Sequence, residues 1–82
     1  MRTIPLHSEL VAYLRTRKLE RKFDKQKRLL EENPFHPGLH VELLHPKHLR
    51  LFSFRIDKKY RAIFIFIDQE TIEVIDVNNH YR

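Results

Sequence analysis

Eighty-two residues suit one domain with one core, because a chain this short buries only ~60% of the surface its unfolded form exposes. With no cysteine, disulfides and thiolate-bound metal are excluded as staples, so the core must come from Leu, Ile, Val and Phe, which fits a reducing cytoplasm. Sixteen Lys and Arg against eleven Asp and Glu leave a net charge of +5, so the expected partner is anionic, nucleic acid or an acidic protein, against the plainer alternative of a soluble basic surface.

No apolar run approaches the ~20 residues that cross a bilayer, and residues 1–6 lack the pattern of a secretory signal. The reading is a soluble, unprocessed, cytoplasmic chain with no membrane partner, and residues 1–82 are expected to form a single domain. Residues 3–6, Thr-Ile-Pro-Leu, predict a short strand; Pro5 cannot donate to a ladder, so it belongs at a sheet edge or pairs on one side. Ser8 is placed to cap a helix. Residues 9–32 contain no Gly and no Pro, and Leu10, Leu14, Leu19, Phe23 and Leu30 recur mostly at helical spacing. The five-residue step from Leu14 to Leu19 shifts the apolar stripe within Arg15-Thr16-Arg17-Lys18. This favours a helical hairpin over one long helix. Asn33-Pro34 ends the helical region, since a residue before proline is pushed out of helical angles.

After Pro37-Gly38 the pattern turns to strands. Four are predicted, at 39–44, 49–56, 60–67 and 71–77, separated by short polar turns at the spacing of an antiparallel meander. Segregated helices and strands imply an α+β architecture, with the hairpin on one face of a four- or five-stranded sheet. The nearly unbroken apolar run at 60–67 marks a central strand.

Antiparallel order brings the end of strand 49–56 beside the start of strand 60–67, and that start beside the end of strand 71–77. Arg55, Arg61 and the tail Asn78-Asn79-His80-Tyr81-Arg82 are therefore expected at one edge. A three-residue loop at Asp57-Lys58-Lys59 sets Ile56 against Tyr60 and Arg55 against Arg61, and pairs Phe52 with Phe64 and Leu51 with Ile65. Two like charges placed opposite each other destabilise by roughly 0.2–1 kcal/mol, so the pair makes best sense with a phosphate between them. The plainer alternative gives each arginine a local carboxylate such as Asp57 or Asp76.

Three more groups bear on chemistry. The His80 imidazole can pass a proton near neutral pH, and Tyr81 adds a hydroxyl and a ring on which a base can stack, unless the pair is simply a frayed tail. A four-residue turn at 45–48 puts Leu44 opposite Leu49 and projects Glu42 and His40 to the side of Arg55. Either of them is a candidate base, with an ordinary surface residue as the alternative for each. His36 and His40 stand four apart, but Pro37-Gly38 between them excludes a shared helical turn, so no metal and no cofactor are expected. The stretch Arg15-Thr16-Arg17-Lys18, continued by Arg21-Lys22, reads first as a solvated helix face and second as a grip on nucleic-acid backbone.

The run Leu51-Phe52-Ser53-Phe54-Arg55-Ile56-Asp57-Lys58-Lys59-Tyr60-Arg61-Ala62-Ile63-Phe64 resembles the central hairpin of RelE/ParE superfamily toxins. Asp76-Val77-Asn78-Asn79-His80-Tyr81 resembles their C-terminal segment, most nearly that of the YoeB-like branch, which also has a terminal His-Tyr pair. Two features depart from that branch: Arg82 extends the chain past the pair, and Leu51-Phe52 stand where paired aromatics are expected. The resemblance implies a RelE/ParE-like fold with a short N-terminal strand, a helical hairpin and an antiparallel four-stranded meander, the helices packed on one face. It implies a type II toxin, an endoribonuclease that cleaves mRNA on the ribosome and is restrained by an acidic antitoxin. Carried over by position, Glu42 would be the base, Arg55 and Arg61 would stabilise the phosphorane, His80 would be the acid and Tyr81 a stacking or positioning group. His40, Lys47, His48, Arg50, Lys58, Lys59 and Arg82 would then contact RNA. Two rivals remain open, a ParE-like inhibitor of DNA gyrase and a non-catalytic nucleic-acid-binding module.

Overall fold

The structure, a computed structural model, describes residues 1–79. The helical region is two helices, α1 (Ser8–Thr16) and α2 (Glu20–Glu32). They part where the apolar stripe changes phase: Lys18 takes a left-handed φ of 58°, and the Leu19 N–H donates back to the Leu14 carbonyl. The cap of α1 is His7 rather than Ser8; its Nδ1 accepts from the Glu9 N–H at 3.4 Å, which leaves Ser8 inside the first turn. Asn33, ahead of Pro34, closes α2 in an extended conformation, as the steric demand of proline requires.

Five strands form one mixed sheet in the order β1-β5-β4-β3-β2. They are β1 (Arg2–Thr3), β2 (Glu42–Leu43), β3 (Phe52–Arg55), β4 (Arg61–Asp68) and β5 (Thr71–Asn78). The four later strands make the antiparallel meander. β1 covers Arg2–Thr3 rather than 3–6 and so leaves Pro5 outside it; it lies at the sheet edge and runs parallel to β5, pairing Arg2 with Thr71 and Thr3 with Ile72. The outward Thr3 N–H donates to the Glu31 carboxylate of α2 at 3.1 Å, which occupies a donor that would otherwise advertise an open edge.

β2 and β3 are much shorter than the runs 39–44 and 49–56 suggest. Single 3-10 turns at Pro37–Leu39 and Lys47–Leu49 take up the flanks. Each is closed by a left-handed residue, His40 at φ 47° and Arg50 at φ 55°. Neither is glycine or asparagine, so composition gives no warning of them.

Period-two alternation sorts the sheet into two faces. Phe52, Phe54, Ala62, Phe64, Ile72, Val74 and Val77 point to the helices and join Leu14, Leu19, Phe23, Leu30 and Leu39 in the core. Phe23 of α2 meets Phe54 at 6.0 Å between ring centroids, and Phe64 lies 5.6–5.8 Å from Phe52, Phe54 and Phe66. Gln26, between Phe23 and Leu30, is buried among these apolar groups, a position that costs free energy unless its amide is bonded. The other face carries Glu42, Ser53, Arg55, Arg61 and Ile63. A bulge in β5 sets Asp76 opposite Ile63 and Val74 opposite Phe64, which leaves Ile75 as the extra residue. No helix among the described residues is long and apolar enough to cross a membrane.

Candidate active site

The hairpin joining β3 and β4 has the three-residue loop read from the sequence. Arg55 pairs with Arg61, Phe54 with Ala62 and Phe52 with Phe64, and the Ile56 N–H donates to the Tyr60 carbonyl. Asp57 shapes the loop: its Oδ1 accepts from the backbone N–H of Lys59 at 2.8 Å and of Tyr60 at 2.7 Å, and its Oδ2 pairs with Lys22 of α2 at 3.1 Å. Partial burial pushes the Asp57 carboxyl up, but the Tyr60 and Lys59 N–H groups together with Lys22 outweigh it and hold the group below the usual carboxylate range.

Asp57 is therefore engaged by loop and helix. Asp76 accepts from the Asn78 amide at 2.8 Å. Among the described residues the half-buried Arg55 side chain makes no hydrogen bond or ion pair, so the local carboxylates do not neutralise it.

Arg61 is held by oxygens. Its Nε donates to Ser53 Oγ at 3.0 Å, and its Nη2 donates to the Ser53 carbonyl at 3.4 Å and to the His40 carbonyl. These three acceptors orient the guanidinium. Ser53 is fully buried and Arg61 half-buried. The hydroxyl is thus a fixed acceptor rather than a mobile one.

Glu42 sits opposite Ser53 and the Leu44 N–H donates to the Leu51 carbonyl, so β2 is displaced by two residues from the pairing of Leu44 with Leu49. A slip of two preserves the face. Glu42 therefore still projects on the side of Arg55 and Arg61, exposed, one step along the ladder from Arg55. His40 differs from its expected place as a strand residue: it follows the 3-10 turn in a left-handed conformation, and what it presents to Arg61 is its backbone carbonyl.

The other residues expected to contact RNA are exposed where the structure describes them. Lys47 and His48 ride the second 3-10 turn; Arg50 follows it with its guanidinium 5.2 Å from the Phe52 ring centroid. Lys58 and Lys59 lie in the hairpin loop, Lys59 Nζ 5.6 Å from the Tyr60 ring centroid. None of these five forms an ion pair among the described residues. His80, Tyr81 and Arg82 lie outside the described residues; Asn78, the last residue of β5, pairs with Arg61, so the chain leaves the sheet at the arginine pair.

One residue escaped the sequence reading. Gln26 Nε2 donates to the Arg55 carbonyl at 2.7 Å and to the Gly38 carbonyl at 3.0 Å, directly behind the arginine pair. The available signal was a lone polar side chain at a core-facing position of an amphipathic helix.

No family model matches the sequence, and no curated protein matches it. Among solved structures, the YoeB/ParE toxin from Agrobacterium tumefaciens superposes with a TM-score of 0.72 over 96% of this chain and 95% of that one, at 18% identity. A likeness of that extent at so low an identity establishes the fold alone. The chain shares the α+β fold of that YoeB/ParE toxin, and its five-stranded sheet ends in a parallel edge strand.

Proposed function

We propose that the chain is the toxin of a type II toxin–antitoxin pair and acts as a metal-independent endoribonuclease on ribosome-bound mRNA. The observation that carries this is Arg55 facing Arg61 on the sheet face opposite the helices, with Arg61 oriented by Ser53 and the His40 carbonyl and Arg55 without an anionic partner among the described residues. Such a pair suits a phosphate, because two guanidinium groups share a negative charge that grows on the way to a phosphorane.

Glu42 removes the proton from a ribose 2′-hydroxyl, the freed oxygen attacks the adjacent phosphorus, and the bond to the departing 5′-oxygen breaks. His80 gives that oxygen its proton. The products are a 2′,3′-cyclic phosphate and a 5′-hydroxyl, and no water is consumed. Tyr81 stacks or positions the base, and the side chains at positions 40, 47, 48, 50, 58, 59 and 82 hold flanking RNA. The basic face opposite the helices suits an acidic antitoxin as partner. The cytoplasm, where message and ribosomes meet, is the compartment this activity needs.

The neighbour's own name joins YoeB and ParE, so the fold alone accommodates a gyrase inhibitor too. The test is to add the purified chain to translating ribosomes and map the 5′-ends of the message, with a supercoiling assay alongside. Removing one charge-stabilising donor in Arg61→Ala should slow cleavage by about 10²- to 10³-fold. Intact message together with blocked supercoiling would overturn the nuclease reading.

A further inference from the structure

We propose that Gln26 is a positioning residue for the cleavage site, a single amide that sets the distance between Arg55 and the carbonyl that holds Arg61; this rests on the reading of the site given above. The ladder of β2 and β3 pairs Glu42 with Ser53. Continued by two residues, it would set residue 40 against Arg55 and satisfy the Arg55 carbonyl. That carbonyl points away from β4, because the bonded pair in the hairpin is Ile56 with Tyr60 and antiparallel bonding alternates.

The strand does not continue. His40 turns left-handed, and its carbonyl swings to Arg61 Nη2 instead. Gln26 takes the place of the missing strand: one contact of its Nε2 is the Arg55 carbonyl at 2.7 Å, the other the Gly38 carbonyl at 3.0 Å. Gly38 belongs to the turn Pro37–Leu39 that ends in His40, and the His40 N–H donates back to Pro37. The two hydrogens of an amide diverge at a fixed angle, so bonding both fixes the two carbonyls relative to each other. The break in β2 releases a carbonyl for Arg61, and Gln26 repairs what the break leaves open. A side chain chosen only for packing at this core-facing position, 7% exposed, would be apolar.

Wild type, Gln26→Met, Arg61→Ala and the double variant are to be compared for cleavage over a range of programmed-ribosome concentrations. The Arg61 Nε–H and the Gln26 side-chain hydrogens are followed by NMR. Methionine keeps length and bulk without the donors. A displacement of about an ångström at a reacting centre can cost ~10²-fold, so kcat is expected to fall about 10- to 100-fold with KM changed little. The double variant should be no slower than Arg61→Ala, and the Arg61 Nε–H should lose protection from exchange. An unchanged kcat, or losses that multiply as a general loss of folded protein would, overturns the proposal. If Gln26→Met does not fold, the wild type decides: both Gln26 side-chain hydrogens should exchange slowly, and exchange at the rate of an exposed glutamine overturns it. A wild type that cleaves nothing sinks the nuclease reading, whereas the Arg61 and Gln26 signals still decide the positioning.

Discussion

The two arginines of the hairpin are held differently. Arg61 is fixed by Ser53 and the His40 carbonyl, whereas Arg55 makes no side-chain bond among the described residues and is the one left to follow a ligand. Ser53→Ala removes the acceptor for Arg61 Nε within a fully buried environment, and a guanidinium that loses one of its fixed bonds samples more orientations. The expected outcome is a cleavage rate lower by about tenfold with an unchanged melting temperature to within a few degrees, checked by 5′-end mapping beside a thermal melt. Asp57 makes a prediction of a different kind. Its folded pKa is depressed, so the stability it adds is complete above the unfolded value of ~3.9 and is lost as pH falls through the lower folded value. Melting curves of wild type and Asp57→Asn should be separated by a constant gap between pH 5 and 7, on the order of the gap lost by pH 2–3. A gap that stays the same down to pH 2 would refute the assignment.

At the level of elements, the break between α1 and α2 depends on Lys18, which holds a left-handed conformation without being glycine. A left-handed L-residue costs roughly 1–2 kcal/mol, partly offset in glycine by its greater freedom when unfolded, so Lys18→Gly is expected to stabilise the fold by about 0.5–1 kcal/mol in urea titration. Lys18→Ile should do the reverse. The same device explains which features could be read from the chain. The β3–β4 register was legible because a three-residue loop and the facing Phe52 and Phe64 specify one alignment. The hairpin of helices was legible because the step from Leu14 to Leu19 breaks the stripe. The ends of β2 and β3 were not, since His40 and Arg50 close their turns from residue types with no turn signature. The pairing of β2 slipped by two for the same reason, yet Glu42 kept its face because the pleat repeats every two residues. Gln26 was illegible as a partner of Arg55 because its bonds join positions 26, 38 and 55, which no local pattern connects.

The molecule as a whole divides its duties between the two faces of the sheet: one is consumed by the phenylalanine cluster and the helices, the other is left to present charge. Phe64 is at the centre of the first, fully buried and in contact with Phe52, Phe54 and Phe66. Phe64→Ala should cost about 3–5 kcal/mol, a large part of the roughly 4–12 kcal/mol that a domain of this size has in total. Chemical denaturation should therefore find the midpoint of the variant far below that of wild type, and a midpoint near that of wild type would contradict this account of the core. The parallel junction of β1 with β5 joins strands that lie far apart in sequence, and pairing of this kind forms late. During synthesis β1 must wait, unpaired, until Thr71–Asn78 has emerged, and the Asn78 that aligns with Arg61 is the final piece of that strand. Under the activity proposed above, such a closing order withholds the finished blade from the very machine that is producing it.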